Sequence, residues 1–115
     1  MTVFIVQDQH HHTQDGTRKP KFDFSPAREF GELHCLLKPN TTPFDTEYVL
    51  KRLHSALHRF DDDDFLLLTG NPVLLGMSVA VAAHYNDGNV RLLQWNVTKQ
   101  SYTPISVEDI FGEFE

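Results

Sequence analysis

The chain predicts a single small α/β domain, residues 1–115, with a mixed sheet of about five strands. The sheet is expected to hold a parallel β-α-β-α-β core, two main helices and a C-terminal antiparallel edge strand. Three observations point there. Short apolar runs alternate with segments of helical period, in the order strand, turn, strand, helix, strand, helix, strand, strand. Each helical segment opens on a capping side chain followed by proline. A length of 115 residues, 40% of them apolar, suffices for one core without disulfides or a structural metal. Parallel strands need right-handed crossovers, which a two-layer or a three-layer domain can supply.

Val3-Phe4-Ile5-Val6 is a short, fully apolar strand. Gln7 to Lys21 then holds His10-His11-His12, Gly16 and Arg18-Lys19-Pro20-Lys21, and reads as a long mobile surface loop. Ser25-Pro26 looks like a helix start, with Ser25 as cap, in a turn that stops at Gly31. Leu33 to Leu37 reads as a strand. Thr42-Pro43-Phe44-Asp45 opens the first long helix, with Thr42 as cap. Val49, Leu50, Leu53, Leu57 and Phe60 form its apolar stripe. The acids Asp61 to Asp64 oppose the helix dipole and end it near Phe60.

Phe65 to Thr69 is a continuous apolar run, the pattern of a strand buried on both faces. Asn71 is placed to cap the second helix, with Pro72 in its first position. That helix is apolar nearly all round, slimmed by Gly76, Ser78, Ala80, Ala82 and Ala83, and ends at Asn86-Asp87-Gly88. Val90 to Trp95 is a further strand. Tyr102 to Ile105 returns as the antiparallel edge, where Pro104 is tolerated. Residues Ser106 to Glu115 form an acidic tail. Leu53, Leu57, Leu67 and Val79 are expected to be almost fully buried.

The totals exclude several function classes. A net charge of −6 points away from nucleic acid. One cysteine, Cys35, excludes an intrachain disulfide and fits a reducing, cytoplasmic compartment. The N-terminus does not read as a signal peptide. The longest apolar stretch, Val73 to Tyr85, is too short for a bilayer, so no membrane partner is expected.

Few residues are candidates for chemistry. Thr69, Gly70, Asn71 and Val73 are candidate ligand contacts, because a strand's carboxyl end meets a helix start there. Free N–H groups and the dipole suit a phosphate or carboxylate. No G-x-G-x-x-G and no Walker lysine accompany them, and Pro72 removes a donor, so an ordinary capped turn is the competing reading. His54 and His58 share a helix face as weak metal candidates, without an H-E-x-x-H pattern. Asp61 to Asp64 lacks the spacing of a calcium loop and reads as a solvated connection. His34 and Cys35 are adjacent on a strand, so they point to opposite faces. Cys35 shares its face with Leu33 and Leu37 and is expected to be a buried, inert thiol. The lone Trp95 fits either the core or a homodimer contact. Ile110, Phe111 and Phe114 fit either a short helix docked on its own domain or a partner-binding peptide. No catalytic residue and no cofactor is implied.

Four segments resemble small uncharacterised α/β proteins of bacteriophages and their bacterial hosts. They are Phe24-Ser25-Pro26-Ala27 leading to Phe30-Gly31-Glu32, Phe65 through Pro72, Val90 through Asn96, and Tyr102-Thr103-Pro104. The resemblance implies a phage-type accessory protein in the bacterial cell. It transfers no activity and no site residue. Two readings follow. The leading one is a non-enzymatic protein that binds a host or phage protein. The alternative is a small-ligand module or enzyme that holds a nucleotide or other anion at the Thr69–Pro72 junction. Acidic DNA mimicry is a third, for which −6 is modest.

Overall fold

The computed structural model describes residues 1–8, 10–12, 18–20 and 23–112. In chain order the strands are β1 (Thr2–Gln7), β2 (His10–His12), β3 (Arg18–Pro20), β4 (Glu32–Leu37), β5 (Phe65–Leu67), β6 (Val90–Asn96) and β7 (Ser101–Val107). The helices are α1 (Thr46–Leu57) and α2 (Pro72–Tyr85), with a 3-10 turn at Ser25–Phe30. Five strands form the main sheet in the order β4-β1-β5-β6-β7. The first four run parallel and β7 is antiparallel to β6, as expected. Within the stretch expected as a loop, β2 and β3 pair as a separate antiparallel ribbon.

Alternation along the strands divides the core in two. Phe4, Val6, Leu36, Leu66 and Leu92 pack with α1 and α2 on one face of the sheet. Val3, Ile5, Leu67, Leu93 and Tyr102 point to the other, where Ala27 of the 3-10 turn packs on them. Both α-helices therefore share one layer. β5 lies between β1 and β6, which is why all three of its side chains are at most 3% exposed.

The helix starts show which cap wins. Asn71 caps α2 as expected, its side chain accepting from the Val73 N–H at 2.9 Å. Replacing Asn71 by Ala should therefore cost about 0.5–2 kcal/mol in urea unfolding. A loss within error would mean that the rest of the junction positions α2 without the cap. α1 starts a turn later than expected. Asp45, not Thr42, is its cap, accepting from Tyr48 N at 3.2 Å. Thr42 instead accepts from Phe44 N, and Phe44 is exposed. Val49 is the first buried residue of α1. Ser25 does not cap the 3-10 turn either. It lies inside the turn, and its N–H and hydroxyl donate to Asp23 Oδ1 at 2.9 and 2.6 Å.

Leu53, Leu57 and Leu67 are buried, but Val79 is only partly so. α2 is apolar all round, so periodicity could not say which side meets the sheet. Its buried residues are Leu74, Ser78, Val81, Ala82 and Ala83. Cys35 is exposed rather than buried, because β4 is an edge strand and the 3-10 turn does not reach over it. Partial desolvation, with the charge of Asp8 behind it, pushes the thiol up and keeps it protonated.

The acidic run is not all solvated. Asp64 is buried, and its two oxygens accept from Thr2 N at 3.0 Å and Asp61 N at 3.1 Å. Burial is the largest influence and raises its carboxyl above the ordinary 3.8, against the two backbone donors. The native state thus holds the proton more tightly than the unfolded chain. The Asp64 contribution to stability falls as pH rises from 3.8 to the folded midpoint, and is flat above it. A carboxyl-carbon NMR titration should place the Asp64 midpoint above 3.8 in the folded protein. A midpoint at or below that value would show that the donors outweigh burial.

Candidate functional site

The connection after β1 leads to the 3-10 turn on one face of the sheet. The connection after β5 leads to α2 on the other. The adjacent carboxyl ends of β1 and β5 are thus a topological switch point, the usual ligand crevice of open α/β sheets. Here the crevice is filled by Gln7, which is 4% exposed. Its Oε1 accepts from Asn71 N at 3.0 Å. Its Nε2 lies 3.2, 3.3 and 3.2 Å from the carbonyls of Lys38, Pro39 and Thr41. Its backbone N–H donates to Thr69 O at 3.1 Å. One buried amide therefore ties β1 to the loop after β4 and to the β5–α2 junction.

Three of the junction donors are engaged. Asn71 N is taken by Gln7, Val73 N by the Asn71 side chain, and Leu75 N by Asn71 O. Gly70, Asn71 and Val73 belong to this braced turn. Val73 also borders a cavity between α1 and α2, and Thr69 borders one on the opposite face of the sheet.

That cavity, about 550 Å³, lies on the 3-10 side of the sheet. Its walls are Asp23, Phe24, Pro26, Leu67, Leu68, Thr69, Trp95 and Tyr102. Trp95 and Tyr102 are cross-strand neighbours in the β6–β7 ladder. Their rings meet edge to face, 5.0 Å between centroids and 69° between planes. Trp95 remains 39% exposed, so it is a wall rather than a core residue. Asp23 stays ionised, its carboxyl held low first by the Ser25 side chain and then by the Ser25 N–H. Burial first, and the Asp23 charge second, raise the Tyr102 phenol. The cavity thus joins an apolar aromatic wall to one carboxylate. Nearby on the same face, Arg91 lies 4.0 Å over the Phe65 ring.

The other candidates lie elsewhere. His54 shares a hydrogen with the Tyr85 hydroxyl, and its ring is 6.0 Å from that of His84 on the neighbouring helix. His58 turns its Nδ1 to Ser55 O at 2.8 Å, and both histidines are exposed. Among the described residues no group of three or more potential ligands could hold a metal ion. Among the described residues, the tail forms a turn at Ile110–Phe111. Ile110 N donates to Gly88 O at 2.9 Å, while Ile110 is 40% and Phe111 67% exposed. Phe114 lies outside the described residues. No helix among the described residues is long and apolar enough to cross a membrane.

Sequence reasoning missed Gln7, Asp23 and the wall formed by Tyr102. Gln7 was legible only as a polar residue closing an apolar run. Asp23-Phe24-Ser25-Pro26 carried a signal, since an aspartate two residues before a serine can close a local turn.

Comparison with curated proteins and with solved structures returns no match. The family model described as phage Pam3 gp32-like protein matches residues 1–109, almost the whole length, and the chain belongs to that family.

Proposed function

We propose that the chain is a non-enzymatic phage accessory protein that works inside the bacterial cell by binding a host or phage protein at the Trp95–Tyr102 cavity. The observation that carries this reading is the half-exposed Trp95 braced edge to face by Tyr102 beside a cavity of about 550 Å³. Such a pair offers a large, stiff apolar surface at little entropic cost, the usual chemistry of a binding hot spot. The small-ligand alternative draws support from the cavity's place at the carboxyl ends of the strands. Its anionic form fits less well, because Asp23 repels an anion and the Asn71 and Val73 N–H groups are already engaged.

The test is photo-cross-linking in the bacterial cells that express the protein. A cross-linking residue at Pro26, on the cavity wall, is compared with one at Lys51, on the exposed side of α1. Discrete adducts from Pro26, missing from Lys51 and lost in Trp95→Ala, are expected. No adduct at Pro26, or one indifferent to Trp95→Ala, overturns the reading.

A further inference from the structure

Resting on that reading, we propose that the cavity receives the guanidinium side chain of an arginine presented by the partner protein. The argument begins with Asp23. Its Oδ1 is pinned by two donors of Ser25, at 2.9 and 2.6 Å, and its Oδ2 takes neither bond. A pinned carboxylate at the edge of an aromatic cavity is half of an arginine site. The other half is an aromatic surface, and the partly exposed Trp95 lines the same cavity. A guanidinium is planar and carries several N–H groups, so it can lie on the indole and still give an N–H to Asp23 Oδ2. Lysine is a point charge on a flexible stem and meets only one of these demands well.

Charge complementarity selects the same occupant. Among the described residues, the cavity walls contain a carboxylate and no lysine or arginine. Arg28 is the weakest of the influences on Asp23. The chain's net charge of −6 steers a cationic partner toward it. A phosphate or an acidic peptide would meet the Asp23 charge instead. The fold already uses this contact internally, where Arg91 lies over Phe65 on the same sheet face.

Trp95 is the chain's one tryptophan, so its emission reports on this cavity. The full-length protein is titrated with three capped tripeptides, Gly-Arg-Gly, Gly-norleucine-Gly and Gly-Glu-Gly. Binding is read from the emission and from the Trp95 indole N–H resonance. The arginine peptide should bind about 3–5-fold more tightly than the norleucine peptide, the scale of an exposed ion pair with a cation–π contact. The glutamate peptide should be the weakest. Asp23→Asn keeps an oxygen that can accept from Ser25, and should reduce the arginine peptide to the norleucine level. High salt should do the same. Equal binding of arginine and norleucine peptides, or no response to arginine in either readout, overturns the proposal. If the Pro26 cross-link still depends on Trp95 in that case, the protein-binding reading survives without it. Loss of that dependence removes the reading itself.

Discussion

Gly70→Ala should destabilise the fold by about 2–6 kcal/mol, combining backbone strain with overpacking. Gly70 has φ of +123°, a conformation that residues with a side chain rarely adopt. A Cβ built there would lie 2.6 Å from Gln7 Cβ and 2.9 Å from Gln7 Oε1. Gln7 cannot swing aside cheaply. Its side chain bonds Asn71 N and faces three carbonyls, so displacing it would leave buried polar groups unpaired. The measurement is urea unfolding, read as a lower midpoint at unchanged slope. Gly76→Ala is the matched control. Gly76 lies inside α2 with nothing within 4 Å of its added Cβ. That change should stabilise by about 0.4–1 kcal/mol through the unfolded chain. A Gly70→Ala loss below about 1 kcal/mol would mean that the Gln7 clasp is looser than its geometry, since strain alone accounts for more.

The sheet was legible because its signals are local. Phe65-Leu66-Leu67 is apolar at every position, which only a central strand satisfies, and β5 is central. Asn71-Pro72 joined a cap to a residue that fits the first helical turn, and α2 starts there. The errors fall where a choice depends on distant packing. Thr42 and Asp45 are both acceptable caps, and the core contact of Val49 decides between them. Val79 and Cys35 were placed by face, but the face of an all-apolar helix and the cover over an edge strand are tertiary facts.

The site was less legible for the same reason. Asp23, Thr69, Trp95 and Tyr102 come from four separate stretches of the chain, and only the sheet order and the 3-10 connection bring them together. The junction Thr69–Pro72 was found from its pattern. Its bracing by Gln7 was not, because the partners lie 64 residues apart. A pair of histidines four apart suggested a shared face. The crossing of α1 and α2 adds His84 as a neighbour of His54.

Leu67→Ala tests the sheet and the cavity together. Leu67 is 1% exposed, and packs with Val3, Ile5, Leu93 and Tyr102 on the 3-10 side of the sheet. Its truncation should cost about 2–5 kcal/mol, as lost transfer free energy plus the space left behind. Leu67 also lines the cavity, so that space adds to it and loosens the support under Tyr102. Trp95, held edge to face on Tyr102, should then gain solvent contact and shift its emission to the red. Leu66→Ala separates the two effects. Leu66 is equally buried but faces α1 and α2, so it should cost a similar amount and leave the Trp95 emission unchanged. A Leu67→Ala loss below about 1 kcal/mol would mean that the 3-10 turn does not close this face, because a filled core leucine cannot be truncated so cheaply. Equal emission shifts from both variants would mean that the cavity wall is not anchored on β5, and that the rigidity of the Trp95–Tyr102 pair has another source.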